Sequence, residues 1–205
     1  MEIRQLSLGP LGTNCYIVAK KNKAVVIDPS GEPTAIIRAL QELQVQPQAI
    51  LLTHAHFDHI VALEELRSRF EIPVYLDKAE RGWLGDPERN GSALFGMGEV
   101  AVREADHFFS EPQLSFGDIV ISIRKTPGHS PGGVSFIFEE GRFVVSGDCL
   151  FAGGIGRTDL FGGDFEQLET SIKEQLYSLP DDYIVYPGHG PETTIKSEQD
   201  SNPFI

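Results

Sequence analysis

The chain has 205 residues, 40% of them hydrophobic and 23% charged, a composition that suits one globular domain over residues 1–205 and argues against disorder. Thirty acidic against 17 basic side chains leave a formal net charge of -13, which disfavours nucleic acid and anionic membrane as partners because both repel an acidic surface. No apolar run approaches the roughly 18 residues of a membrane span, the start MEIRQLSLGP lacks the apolar region of a secretion signal, and Cys15 and Cys149 are too few for a disulfide framework, so the expectation is a cytoplasmic protein with two reduced thiols.

Along the chain, 2-EIRQLSL-8 alternates as a strand, and 14-NCYIVA-19 and 24-AVVIDP-29 are short and β-rich. Pro33 opens a helix with Ala35, Ile36, Ile37, Ala39, Leu40 and Leu43 on one broad face. The run 49-AILL-52 reads as a buried strand. A second helix is expected from near residue 58, with Asp58 as its candidate N-cap and Ile60, Leu63, Leu66 and Phe70 at helical spacing. The short strand 72-IPVYL-76 follows. Residues 90–98, NGSALFGMG, read as a loop, either on the surface or over a cleft walled by Phe57, Leu94, Phe95 and Met97.

Strands return at 118-DIVISIRK-125, 134-VSFIF-138 and 142-RFVVSGD-148, the last two joined by 139-EEGR-142 as a hairpin turn. Asp164 and Gln167 form a candidate capping box for a helix with Phe165, Leu168, Ile172 and Leu176 inward. The strand 183-YIVYP-187 runs into Gly188, His189 and Gly190. Two strand-rich halves, each carrying helices, predict an α/β protein of two stacked mixed sheets with helices on their outer faces.

Chemistry concentrates in 53-THAHFDHI-60. Extended chain places His54 and His56 on one face, while the expected turn into a helix sends Asp58 and His59 toward a second point beside the first. His129 in 126-TPGHSPGG-133, Asp148 in 144-VVSGDCLF-151 and His189 in 186-YPGHG-190 also follow strands, with glycines that let the backbone approach a bound ion. Taken singly, Asp58 is an ordinary helix cap, the lone histidines are loop residues, and Asp148 is a strand end. Seven imidazole and carboxylate groups at strand ends together indicate metal, and that ligand chemistry suits zinc, iron or manganese.

T-H-A-H-F-D-H at 53–59 resembles the HxHxDH signature of the metallo-β-lactamase superfamily, and the later G-H, G-D and P-G-H-G segments fall in that superfamily's order. Within it, 146-SGDCLFAGGIGRTDL-160 is similar to the glyoxalase II-like and persulfide dioxygenase-like branch. The resemblance implies a four-layer αββα sandwich with its site at one edge between the sheets. It implies two divalent metal ions, zinc first and iron or manganese as alternatives. One would be held by His54, His56 and His129, the other by Asp58, His59 and His189, with Asp148 bridging. Asp28, in 25-VVIDP-29, would stand behind a ligating histidine and fix its tautomer.

The activity implied is hydroxyacylglutathione hydrolase-like cleavage of small-molecule thioesters such as S-2-hydroxyacyl thiols. Metal lowers the pKa of bound water to about 7 and so supplies hydroxide as nucleophile, which Asp58 or Asp148 would orient as catalytic carboxylates. Arg157 is either a fork for a substrate carboxylate or the partner of Asp159 or Asp164. Cys149 reads as a packed structural thiol, and His107 as surface or core packing. Full-length glyoxalase II adds a C-terminal helical region whose basic residues help hold glutathione, and 191-PETTIKSEQDSNPFI-205, with Lys196 its only basic residue, does not resemble it, so the expectation leaves the thiol open. Alternatives are a mononuclear iron persulfide dioxygenase using His54, His129 and Asp148, or a lactone or phosphodiester hydrolase. Asp148, where some lactamases carry cysteine, argues against antibiotic hydrolysis. No residue pattern sets an oligomeric state.

Overall fold

In the computed structural model, residues 1–96 and 98–205 are described; Met97, expected in a cleft wall, lies outside the described residues. Three antiparallel strands open the chain, β1 (Glu2–Leu8), β2 (Thr13–Lys20) and β3 (Lys23–Ile27). Both faces of β2 and β3 are buried, so their period-two alternation feeds two cores at once. Cys15, Ile17, Ala24 and Val26 face one apolar cluster, while Tyr16, Val18, Val25 and Ile27 face another.

The first sheet has the order β1-β2-β3-β4-β5-β6, its second half made of β4 (Gln46–Leu51), β5 (Val74–Leu76) and β6 (His107–Phe108). The β3–β4 and β4–β5 pairs are parallel, which requires crossovers. Helix α1 (Pro33–Glu42) supplies the first and α2 (Leu63–Phe70) the second. Their buried Ile36, Ala39, Leu40, Leu63 and Leu66 cover the outer face of this sheet.

The second sheet has the order β14-β13-β10-β9-β8-β7. Its strands are β7 (Gln113–Phe116), β8 (Ile119–Lys125), β9 (Val134–Phe138), β10 (Phe143–Gly147), β13 (Ile184–Pro187) and β14 (Thr193–Thr194); the small hairpin β11 (Leu150–Phe151) and β12 (Gly154–Ile155) stands apart. Strands β10 and β13 run parallel, joined through α3 (Phe165–Ser171), which continues as a π-helical turn, Ile172–Leu176. Leu168, Ile172 and Leu176, with Ile195 of α4 (Ile195–Ser201), pack on the outer face of this sheet. Between the sheets lie Tyr16, Phe136, Phe138 and Phe143, the last two stacked at 4.7 Å between ring centres. The expected four-layer αββα arrangement is therefore present. Among the described residues no helix is long and apolar enough to cross a membrane.

Three local expectations are corrected. The segment after the histidines does not start a helix near residue 58: Phe57–His59 is a single 3₁₀ turn, and α2 begins at Leu63. Asp58 is not its cap, because the residue at that position is Ala62 and the Asp58 carboxylate accepts the Thr13 hydroxyl instead. Phe165 is 46% exposed; it occupies the first helical position, before the turn that packs on the sheet. Asp164 does cap α3, its Oδ1 accepting the Gln167 amide at 3.1 Å. The short strands β6, β11, β12 and β14 and helix α4 carry no clear periodic signal. Gly128 (φ +132°) is required where its loop meets α3, since a Cβ there would lie 2.3 Å from the Leu168 backbone.

Phe136 is fully buried between the sheets. Replacing it with alanine is expected to cost about 3–5 kcal/mol, measured as a lower urea midpoint with little change in slope; a loss below about 1 kcal/mol would mean that the inter-sheet layer repacks freely.

Candidate metal centre

The parallel pairs β3/β4 and β10/β13 send their carboxyl ends to one edge of the sandwich. Asp28 follows β3, His54 lies just past β4, Asp148 follows β10 and His189 lies just past β13, the placement expected for sites in sheets of this kind. His129 enters from the β8–β9 connection. Backbone bonds across the sheets close this edge: the Val134 amide donates to the Thr53 carbonyl at 2.9 Å, and the Asn14 amide to the Gly188 carbonyl at 2.7 Å.

All seven predicted groups converge there. One nitrogen from each of His54, His56 and His129 lies within 4.8 Å of the others, and Asp58, His59 and His189 form a second such group. His54, His59 and Asp148 form a third that joins them. His56 Nδ1 and His129 Nε2 approach to 2.8 Å. The two oxygens of Asp148 face both sides, Oδ1 at 3.3 Å from His59 Nε2, and Oδ2 at 3.5 Å from His129 Nε2 and 3.4 Å from His189 Nε2. Asp58 Oδ2 is 3.3 Å from His189 Nε2. Gly188 makes this packing possible: a Cβ at that position would sit 2.0 Å from Asp148 Oδ1.

These residues fit divalent metal on their own geometry. His54, His56, His59 and His129 are buried, and among the described residues His54 Nε2, His59 Nε2 and Asp148 Oδ1 have no hydrogen-bond partner. Buried polar atoms without partners are costly, and here their unpaired atoms belong to groups that share one small space. A cation there would satisfy them together. Nitrogen and oxygen donors without thiolate suit zinc, iron or manganese. Cys149 packs in the outer core of the second sheet, its thiol pushed up to about 12 by burial.

The far side of the imidazoles is equally ordered. Asp28, 1% exposed, accepts the Thr53 amide at 2.8 Å, the Thr53 hydroxyl at 2.6 Å and His59 Nδ1 at 3.0 Å. Having donated its proton to Asp28, the Thr53 hydroxyl is an acceptor for His54 Nδ1–H at 3.0 Å. His129 Nδ1 donates to the Arg157 carbonyl at 2.7 Å. The network thus assigns Nδ1–H to three rings and turns their Nε2 lone pairs inward.

Charge divides the cluster in two. Burial, reinforced by the neighbouring rings, holds His54 well below the usual histidine range and lowers His56 to about 3. Burial also opposes charge on His59 and His189, but Asp58, Asp148 and, for His59, Asp28 outweigh it; His59 stands well above its usual value and His189 at about 9. Against the same burial, His59 and His189 hold Asp148 well below the carboxylate range and bring Asp58 to about 2. The half richer in carboxylate thus attracts positive charge even before metal.

Five residues escaped the sequence reading. Thr53 is the link just described, and Thr13 Oγ1 donates to Asp58 Oδ2 at 2.7 Å. Asn14 Nδ2 donates to the Pro187 and Gly190 carbonyls at 2.9 Å each, and the Tyr16 hydroxyl donates to Pro187 at 2.6 Å, so β2 grips the loop bearing His189. Polar residues in the apolar run TNCYIVA were the available signal. Glu80 gave none. Fully buried, it accepts the Ala55 amide at 2.6 Å and the Gly132 amide at 2.9 Å, locking the His54–His56 segment to the His129 loop.

A cleft of about 290 Å³ opens over the cluster, with Phe57, Phe95, Asn90, Leu160 and Arg157 in its walls. Leu94, expected beside Phe95, is 67% exposed and stands outside this lining. Of the two partners open to Arg157, the structure forms the ion pair with Asp159, at 2.6 and 2.7 Å, while the same guanidinium lies 6.0 Å from the Phe95 ring centre. His107 is exposed, its ring tilted at 39° against Tyr75 with 4.8 Å between ring centres.

Burial raises Glu80 from 4.5 to about 7 against its hydrogen bonds. The folded state therefore holds a proton that the unfolded chain releases between these values, and Glu80 contributes stability that is full below about 4.5 and is lost as pH rises through about 7. Urea midpoints are expected to fall more from pH 5 to pH 8 in the wild type than in Glu80→Gln; equal falls would show that Glu80 titrates normally.

Residues 8–189 match the Metallo-beta-lactamase superfamily. The chain is 46% identical over 206 residues to the probable metallo-hydrolase YqgX of Bacillus subtilis, covering 100% of this chain and 98% of the relative. It is 35% identical over 208 residues to the hydroxyacylglutathione hydrolase GloC of Haemophilus influenzae, with 100% and 98% coverage. Among solved structures, the BLEG-1 B3 metallo-beta-lactamase superposes with a TM-score of 0.96 at 47% identity, covering 99% of each chain. TTHA1623 in a di-iron-bound form superposes with a TM-score of 0.90 at 39% identity, covering 98% of this chain and 100% of the other. With its sandwich, its edge-on cluster and these matches together, the chain belongs to the metallo-beta-lactamase superfamily of metallo-hydrolases.

Proposed function

We propose that this protein hydrolyses small thioesters, S-2-hydroxyacyl thiols foremost, at a centre of two divalent ions. His54, His56 and His129 would hold one ion and Asp58, His59 and His189 the other, with Asp148 shared between them. When bound, such ions supply a water of lowered pKa and polarise a carbonyl oxygen. Zinc is the metal proposed, and the di-iron form of TTHA1623 keeps iron as the alternative.

The chain's own residues do the positioning. Asp58, steadied by Thr13, and Asp148, facing both groups, would orient the attacking water. Asp28 and Thr53 keep the His54 and His59 rings in the tautomer that offers Nε2. Arg157 is the one arginine or lysine lining the cleft among the described residues, and its partner Asp159 is 68% exposed. Exposed ion pairs stabilise little, so a substrate carboxylate can compete for the guanidinium. The observation that carries this reading is the convergence of all seven groups, five of which line a cleft that holds apolar side chains and, among the described residues, one arginine. The hydroxyacylglutathione hydrolase GloC, 35% identical over 98% of its length, supports the same substrate class. A single iron at His54, His129 and Asp148, serving persulfide oxidation, is the alternative that iron-dependent oxygen uptake with a persulfide would favour.

A second reading comes from BLEG-1, a B3 metallo-beta-lactamase at 47% identity. A strained cyclic amide would meet the same floor, so β-lactam opening is the rival to measure. The decisive assay follows loss of S-D-lactoylglutathione by metal-loaded protein. Activity is expected in the wild type, with a fall of roughly tenfold to a hundredfold in Asp28→Ala and a larger one in His54→Ala and Asp148→Ala. No thioester loss with metal bound, but turnover of a chromogenic cephalosporin, would replace this reading with the second.

A further inference from the structure

Beside the main cleft lies a second chamber of about 140 Å³, between the β1–β2 turn and the chain near Val100. It shares Leu11, Phe57 and Asp58 with the cleft, so the two spaces adjoin along these residues. Their chemistry differs. The cleft runs from the histidines to Arg157 and Asn90. The chamber has Pro10, Val61 and Val100 for its own walls, with Thr13 and Ser30 beneath, and among the described residues Asp58 is its only charged side chain.

Both hydroxyls have already spent their protons. Thr13 Oγ1 donates to Asp58 Oδ2 at 2.7 Å, and Ser30 Oγ donates to the Thr13 carbonyl at 2.9 Å. The floor therefore offers oxygen lone pairs beside a carboxylate, which repels an anion and accepts at most a hydroxyl. Leu11 and Val61 remain 42% and 47% exposed despite being apolar. Covering them with an apolar occupant removes that surface from water, the favourable direction.

We infer that this chamber receives the acyl chain of the thioester, while the thiol half lies along the arm that ends at Arg157. The inference rests on the thioester reading above and narrows it to acyl groups with an apolar chain. The carbonyl joins the two halves, and Asp58, common to both linings, belongs to the proposed centre. An apolar cavity of about 150 Å³ holds benzene, so the chamber fits a chain of about five or six carbons, well beyond the methyl of a lactoyl group. Each buried methylene then raises kcat/KM about fourfold.

The test uses full-length, metal-loaded protein with acetyl, butyryl, hexanoyl and decanoyl thioesters of one thiol. The expected result is kcat/KM climbing to hexanoyl and falling at decanoyl. Val61→Trp, which fills the chamber from a half-exposed position, is expected to cut the hexanoyl-to-acetyl ratio at least tenfold, with an unchanged urea midpoint reporting that the variant is folded. In the wild type, hexanoate is expected to inhibit more strongly than acetate, which needs no variant. Hydrolysis with no chain-length preference, or an unchanged ratio in Val61→Trp, overturns the chamber assignment alone. Failure of every thioester, with metal bound, overturns the thioester reading and this inference with it.

Discussion

The structure turns on one buried carboxylate. Asp28 sits at the end of β3 in a left-handed conformation (φ 50°), where its two oxygens accept the Thr53 amide, the Thr53 hydroxyl and His59 Nδ1. Through Thr53 it also sets His54. One anion thus joins two parallel strands and fixes two rings, one belonging to each candidate metal position. A side chain without an acceptor there would leave His59 free to present either nitrogen. The unusual backbone is tolerated because three hydrogen bonds over-determine it.

The remaining parts are brought to this fixed point by bonds that cross from one sheet to the other. Glu80 joins the first histidine segment to the His129 loop, and Asn14 and Tyr16 hold the His189 loop against β2. The candidate centre is therefore built on the seam of the sandwich, and its geometry depends on how the two sheets dock. That dependence explains why so much hydrogen bonding with no catalytic task is spent on backbone groups around the seam.

Electrostatics separates surface from site. The chain is acidic overall, yet its functional edge gathers imidazoles against two carboxylates, and the lining of the cleft includes Arg157. A bound divalent pair would make the floor positive while the surface stays negative. Under the proposed function, the two spaces beside it, one reaching an arginine and one largely apolar, would take the unlike halves of a thioester.

The strand and helix order was legible because buried strands and amphipathic helices leave periodic patterns, and the seven clustered groups were legible because imidazoles and carboxylates are anomalous after apolar strands. The turn at Phe57–His59 misled, since helical spacing of Ile60, Leu63 and Leu66 continues through a segment that is not yet helix. The two faces of Asp148, the pairing of Arg157 with Asp159 and the role of Glu80 were decided only by tertiary structure. Each depends on groups far apart in the chain: Glu80, in the surface-like segment DKAER, is buried only because Ala55 and Gly132 arrive from either side. By itself the sequence determined which residues gather and in which layers. The docking of the two sheets decided which atoms face one another, because that depends on distances across the seam and not on any spacing along the chain.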